Sequence, residues 1–318
     1  MSTLLILSYN EASTIKNVLE NYSDHFEYLI VLDDRSTDNT SELINSLDNE
    51  KIIYHRNKKN MGAGKSFEIG LKIFNQLDSM HLIKIDGDDQ FSKKDVLRML
   101  DIGEKEDFDF IKCDRFWEGG IVGTIPFIRY FGNALASFLI KLSTGNWKLN
   151  DPLNGLFFIS KKISKNFVLK KLFNKYGYPF FLVSYVINLS KFEQLKIGQY
   201  PNTVTYANEK SELKAGTMFF KLLYFTIYSY YSKIKIKIKF SNLQFSALVD
   251  IISQIFLILT FGAFYRLISI RYFSAIGPQG SWFIVGVIFF IVFLLLVIVS
   301  QNIENKVNTN KLYVIKGE

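Results

Sequence analysis

The sequence predicts an α/β domain on a mainly parallel sheet, followed by interfacial helices and a C-terminal pair of membrane-crossing helices. Three observations carry this reading. Short apolar runs alternate with helix-like segments through roughly the first 115 residues, the pattern of strands joined by crossover helices. Acidic residues gather at the ends of those runs, where parallel sheets bind ligands. Trp282 to Val299 is an unbroken apolar stretch of 18 residues.

The runs in order are "TLLILSY", "YLIVLDD", "KIIYH", "HLIKID" and "DFIKCD". The first two and the fourth deliver Asn10 and Glu11, Asp33 and Asp34, and Asp86 with Asp88 to one edge. After the second run, Ser36 or Asp38 is placed to cap the next helix, and capping is the preferred role for Asp38. "NMGAGKSFEIG" (residues 60–70) imitates a phosphate-binding P-loop at Gly64-Lys65-Ser66, but that loop needs a glycine where Lys59 stands. Gly62-Ala63-Gly64 is instead expected to give close packing at a helix start, with Lys65 left open as a partner for a diphosphate. "IDGDDQF" offers Asp86 and Asp88 two residues apart, which suits Mg²⁺ or Mn²⁺ held by carboxylates and completed by phosphate oxygens.

Composition narrows the alternatives. The single Cys113 excludes an internal disulfide, and His25, His55 and His81 lack metal-ligand spacing. The net charge of +8 is concentrated: 210–240 holds seven lysines against Glu212 alone. A nucleic-acid protein would spread a basic face over its folded domain. Here the basic stretch runs into the most apolar part of the chain, so anionic lipid is the expected partner and nucleic acid is not.

Trp282–Val299 would rise roughly 27 Å as a helix, close to the ~30 Å bilayer core. A weaker span, about Leu243 to Phe264, carries Asp250 and Gln254, and the Gly277-Pro278 turn lies between the two. Lys233–Lys239 before the pair, and Lys306, Lys311 and Lys316 after it, put both ends in the cytoplasm by the positive-inside rule. Met1–Tyr9 lacks the basic flank of a cleavable signal peptide. Met218–Tyr231 reads as an aromatic interfacial helix, with a core helix of the soluble domain as the alternative. "KIKIKIKF" alternates with period two and is expected to be extended. The expected organisation is a cytoplasmic catalytic domain over 1–213, an interfacial segment over 214–242, two spans within 243–300 and a cytoplasmic tail over 301–318.

These motifs, taken in order, resemble glycosyltransferase family 2, on the nucleotide-diphospho-sugar fold called GT-A, and most closely its polyprenyl-phosphate branch. "LSYNEASTI" is similar to the family's opening Y-N-E segment, "LDDRSTDNT" to D-D-x-S-x-D-x-T and "NMGAGKSFEIG" to N-x-G-x-G. "DGDDQF" matches the metal motif, "DPLNGLFFIS" (Asp151 to Ser160) the acceptor-side segment, and "YANEKSELK" (Tyr206 to Lys214) a segment of bacterial members. The apolar hairpin ending in "KLYVIKG" fits as well.

The resemblance implies a membrane-bound inverting glycosyltransferase that moves sugar from a UDP- or GDP-linked donor to undecaprenyl or dolichyl phosphate. Asn10, Glu11, Asp33 and Asp34 would face the nucleoside, with Lys65 and Gly87 also on the donor side. Asp86 and Asp88 would hold Mg²⁺ or Mn²⁺, and Asp151 would sit near the reacting centre. Arg129, Lys210 and Ser211 would grip the lipid phosphate. The location implied is a bacterial inner membrane, multi-pass, and a homo-oligomer stays open because the aromatic segment suits subunit packing as well as lipid. One departure is Leu182 and Ser184, where relatives often carry an acidic pair. A phosphate acceptor tolerates that loss, since it is mostly a dianion at neutral pH and needs no general base. Transfer to a glycan hydroxyl, and a non-catalytic scaffold with a degenerate pocket, are the alternatives.

Overall fold

The computed structural model describes residues 1–117, 120–122, 127–175, 177–190, 193–205, 215–239, 243–273, 276–307 and 312–315. They form two compact units, one of 1–229 with 310–318 and the other of 230–309.

The first unit is built on strands β1 (Ser2–Ser8), β2 (Tyr28–Asp33), β3 (Ile52–Arg56), β4 (His81–Asp86), β5 (Phe110–Asp114), β6 (Ile121–Val122), β7 (Phe157–Ser160), β8 (Ile197–Pro201), β9 (Val204–Thr205) and β10 (Leu312–Val314). Its helices are α1 (Ile15–Tyr22), α2 (Thr40–Asn45), α3 (Ala63–Gln76), α4 (Lys93–Lys105), α5 (Phe127–Thr144), α6 (Lys161–Asn166) and α7 (Tyr178–Leu189). The eight described strands of the main sheet run in the order β10-β8-β5-β7-β4-β1-β2-β3. Only β7 is antiparallel to its neighbours β4 and β5, so the carboxyl ends of β1, β2, β4, β5 and β8 share one edge. The five runs read from the sequence are β1 to β5.

Alternation sorts the apolar residues onto two faces. Leu5, Leu7, Ile30, Leu82, Phe110 and Phe157 pack toward α3, α5 and α7. Leu4, Ile6, Leu29, Ile83, Ile85 and Ile111 pack toward α1 and α4. Both faces are covered, which is why β1 is buried along its whole length. The start of α3 packs as its glycines suggest. A Cβ on Gly64 would fall 2.1 Å from the Phe173 carbonyl oxygen, and Lys65 N–H donates to the Asn174 carbonyl at 2.9 Å. The motif closes a helix start onto a neighbouring turn.

Helix α5 is amphipathic in reverse. Its buried side carries Asn133, Ser137, Ser143 and Thr144 beside Ala136, Leu139 and Ile140. Its outward side carries Phe127 (78% exposed), Phe131 (60%), Phe138 (50%) and Leu142. A helix facing water would show the opposite arrangement.

Helix α8 (Ala215–Lys239) corrects one expectation and merges two others. Leu222, Phe225 and Tyr228 join the core around Phe173 and Phe181, while Tyr224, Ile227 and Tyr231 are exposed. One side of this helix thus packs into the core of the first unit, while the other leaves aromatic side chains exposed. "KIKIKIK" is helical, not extended. In the second unit Lys233 and Lys237, four residues apart and so on one helix face, are buried against carboxylates. Tertiary partners override the local alternation.

That second unit also contains α9 (Gln244–Tyr272) and α10 (Gln279–Val307). Both are long and apolar enough to cross a membrane, and they pack on each other through Phe256 with Phe289 and Phe264 with Phe283. Their outward faces expose Ile255, Ile258, Phe261, Ile291 and Leu295.

Candidate active site

The carboxyl edge of the main sheet carries the candidate site. Asn10, just past β1, adopts the left-handed region (φ 59°). Its Oδ1 accepts from Thr37 N–H at 2.8 Å, and its own N–H donates to Ser36 Oγ at 2.9 Å. Glu11 N–H donates to Thr40 Oγ1, and Ala12 N–H to Asp38 Oδ2. The Y-N-E and D-D-x-S-x-D-x-T segments therefore fold as one interlocked loop pair. Asp38 also accepts from Thr40 N–H at 3.1 Å, one residue before the N-cap position of α2, which is Asn39 and not Asp38 or Ser36 as expected.

The two aspartates at the end of β2 have internal work. Asp33 is fully buried, with Oδ1 taking Ser36 N–H at 2.7 Å and Oδ2 taking the Tyr54 hydroxyl at 2.9 Å and Arg56 Nε at 3.1 Å. Asp34 accepts from Met61 N–H, Gly62 N–H and Asn57 Nδ2 at 2.7–2.8 Å. It folds the approach to α3. Lys65 pairs with Glu68 on its own helix at 2.6 Å. The side chains of Asp33, Asp34 and Lys65 are thus all engaged by partners within the domain.

Asp86 and Asp88 stand at the end of β4. Gly87 N–H donates to the Leu7 carbonyl at 2.9 Å and Thr14 Oγ1 to the Gly87 carbonyl at 2.7 Å, which fixes the bend against β1 and α1. Burial, then the neighbouring Asp86 and, more weakly, Glu11, push the Asp88 carboxyl up to about 7 against a hydrogen bond from Gln90 N–H. Mutually repelling carboxylates at a sheet edge favour a cation. Among the described residues no three acidic, His or Cys groups form a metal cage. The donor set fits Mg²⁺ or Mn²⁺ held by two carboxylates, with the remaining positions left to water and substrate phosphate.

Behind Asp86 lies a residue that the sequence reading missed. Lys84 is buried, and its Nζ lies 2.5 Å from Asp86 Oδ1. Burial alone would lower its pKa, but Asp86 and Tyr178 outweigh burial and raise it. Lys112 on β5 mirrors it: both lysines register with Phe157 of β7, one from each side. Lys112 Nζ donates to the Cys113 and Asn150 carbonyls, and burial pulls its pKa down against the pull of Asp151. The signal was available as Lys-x-Asp closing both "HLIKID" and "DFIKCD", a lysine inside an otherwise apolar strand.

Asp151 is fully buried and left-handed (φ 47°), beside Arg115, also missed. Its carboxylate accepts Arg115 Nε at 2.8 Å, Arg115 Nη2 at 3.0 Å and Asn154 Nδ2 at 3.0 Å. Although burial acts upward, Arg115 holds the Asp151 pKa below the usual carboxylate range. The carboxylate is thus engaged by Arg115 and Asn154. Arg129 lies on α5 with its side chain outside the described residues, as are Lys210 and Ser211. Leu182 and Ser184 are buried on α7, Ser184 against Ser229 of α8, so a carboxylate at either place would sit in the core.

Residues 3–167, about half of the chain, match the family described as Glycosyl transferase family 2. The chain belongs to glycosyl transferase family 2. Its mixed-sheet α/β domain is GT-A-like. The glycosyltransferase is 26% identical over 237 residues to the UDP-N-acetylglucosamine--dolichyl-phosphate N-acetylglucosaminyltransferase of Methanococcus voltae, covering 70% of this chain and 92% of that one. It is 30% identical over 114 residues to glycosyltransferase AglJ of Haloferax volcanii, spanning 36% of this chain and 35% of AglJ. Among solved structures it is similar to S. aureus TarS 1-349 in complex with UDP, with a TM-score of 0.47, 14% identity, and coverage of 77% and 72% of the two chains.

Proposed function

We propose that this chain is a membrane-anchored inverting glycosyltransferase that moves a sugar from a nucleotide-diphospho-sugar to a polyprenyl phosphate. The observation that carries the reading is the Asp86–Asp88 edge in a domain whose α5 turns a Phe stripe outward. The activity of the M. voltae relative makes UDP-N-acetylglucosamine the first donor to test.

Asn10 and Glu11 would line the nucleoside end, and Asp86 and Asp88 are the residues that would hold Mg²⁺ or Mn²⁺. A divalent cation bound there supplies positive charge to a leaving nucleoside diphosphate. Arg115, steadied by Asp151, and Arg129, Lys210 and Ser211 receive the lipid phosphate. That phosphate attacks the anomeric carbon as a dianion and needs no base, which agrees with an Asp151 carboxylate already committed to Arg115. Positioning and electrostatics carry the rate.

The membrane part of the reading is supported from two directions. Helices α9 and α10 are long enough to span, and β10 beyond them pairs with β8 of the catalytic sheet, so both ends of the hairpin belong on one side. Exposed lysines before and after the hairpin favour the cytoplasmic side.

The test supplies the purified full chain with labelled UDP- and GDP-sugars, Mn²⁺ or Mg²⁺, and polyprenyl phosphate. Metal-dependent formation of a glycolipid from one donor is expected. No product from any common donor, or product only with a hydroxyl acceptor, would overturn it.

A further inference from the structure

Lys84 sits where an apolar residue would be less costly. It points to the face of β4 shared by Leu82 and the core around α7, and burying an ammonium costs several kcal/mol before pairing. Three surfaces fix it. Its Nζ lies 5.9 Å from the centre of the Phe157 ring and 5.7 Å from that of Tyr178. On the third side is Gly155, where a Cβ would fall 3.1 Å from Lys84 Nζ and 2.5 Å from Asp86 Oδ2. Glycine there lets the backbone lie close over the pair. Asp86 itself remains 37% exposed, so the ion pair is closed on the core side and open on the site side.

We propose that Lys84 is a built-in counter-charge that keeps the acidic edge from binding a divalent cation tightly until a nucleotide diphosphate arrives. The proposal rests on the metal-dependent donor site argued above. Asp86 and Asp88 close β4, with Glu11 packed beside Gly87, and that edge alone would attract a free cation. The fixed ammonium, in contact with Asp86, repels an ion on the other side of that carboxylate in a partly desolvated setting. The diphosphate's negative charge offsets the repulsion. Cation and nucleotide then bind with positive coupling, and the cation is released with the spent nucleoside diphosphate. Lys84 is a positioning and charge-setting residue, not one that touches the reacting atoms.

The experiment titrates Mn²⁺ into the full chain in detergent, followed by its electron paramagnetic resonance signal, alone and with UDP or GDP. Wild type, K84M and K84Q are compared, with folding checked by circular dichroism. The amide introduced by K84Q would retain a hydrogen-bond donor for Asp86 without the charge. Wild type is expected to bind Mn²⁺ weakly alone and roughly tenfold or more tightly with nucleotide. Both variants are expected to bind Mn²⁺ alone roughly tenfold or more tightly than wild type, and to lose most of the nucleotide's enhancement. Unchanged affinity and coupling in K84Q, or weaker Mn²⁺ binding in K84M, would overturn the proposal while leaving the donor site standing. Failure of both variants to fold would make Lys84 a structural residue and also overturn it. A wild type that binds no Mn²⁺ under either condition would overturn the metal reading itself.

Discussion

Asp151 grips Arg115 through two side-chain contacts, Oδ2 to Nε at 2.8 Å and Oδ1 to Nη2 at 3.0 Å, with no exposed surface on the carboxylate. Arg115 N–H and Asn154 Nδ2 complete its shell. The same segment is tied to α5, because Asp151 N–H donates to Ser137 Oγ at 3.0 Å. One buried anion thus connects the end of β5, the α5 wall and the loop leading to Gly155.

Asp151→Asn should therefore destabilise the first unit by about 3–5 kcal/mol, the usual consequence of leaving one partner of a buried pair uncompensated. Replacing both partners, as in D151L/R115M, should recover much of the stability and none of the activity. Denaturant melts on the two variants, with product assays alongside, separate the structural effect from loss of the Arg115 charge. A D151N protein as stable as wild type would contradict the arrangement.

Asp88→Ala should reduce metal-dependent turnover by about 100-fold or more without unfolding the chain, since it removes one of two carboxylates of the proposed cation site. The pH behaviour of the metal-free protein follows from the raised carboxyl of Asp88, near 7. A carboxyl whose folded pKa lies above its unfolded value favours folding as the protonated form. Its contribution is present at low pH and is lost as pH rises toward about 7. Mn²⁺ competes with that proton, so below about pH 7 its affinity should fall by up to about tenfold per pH unit. Thermal shifts by Mn²⁺ measured at about pH 6 and about pH 8 should be larger at the higher pH. Equal shifts would remove Asp88 from the cation site.

The acidic edge was legible because β1, β2 and β4 are short apolar runs that end in polar residues, a local signal. Lys84 and Lys112 were passed over because a charge inside an apolar run looks like noise until β7 brings Phe157 between them. Nothing in the sequence around Asp151 signals that Arg115, 36 residues earlier, lies on its carboxylate. "KIKIKIK" misled for a related reason. A period-two pattern records which residues alternate, but the carboxylates that make Lys233 and Lys237 a helical pair come from Asp250 and Glu304.

The reversed polarity of α5 leads to a prediction about depth. Trp147 follows the Phe131, Phe138 and Leu142 stripe and is exposed. With Trp117 and Trp282 replaced by Phe, Trp147 fluorescence should be quenched by lipids brominated high on the acyl chain and protected from acrylamide, as for interfacial aromatics. F131D/F138D should reverse both responses while leaving Mn²⁺ binding intact. Free access of acrylamide to Trp147 in bilayers would show that this face is covered by something other than lipid, or by nothing.

The last prediction concerns the lysines first assigned to lipid headgroups. Lys237 Nζ contacts Asp250, Glu304, Ser246 Oγ and Ser300 Oγ, while Lys233 pairs with Glu304 at 3.3 Å. All four charged groups are buried, and they come from α8, the beginning of α9 and the end of α10. Two cations and two anions cancel, so this half of the basic stretch holds helices together and adds nothing to headgroup attraction. Lys235 and Lys239 are exposed and are the lysines of this stretch proposed to meet headgroups. Lys237→Met should cost about 3–5 kcal/mol because Asp250 and Glu304 lose their shared cation. The fourfold apolar replacement K233M/K237M/D250L/E304L should be far less damaging, because desolvation and attraction nearly cancel in such clusters. Lys235→Gln with Lys239→Gln should leave stability unchanged and weaken dependence on anionic lipid by about 1 kcal/mol per lysine. Melting in detergent, with activity in vesicles of varied anionic content, reads the two classes separately. If K237M melts like wild type while losing its response to anionic lipid, Lys237 faces headgroups and the buried cluster is wrong.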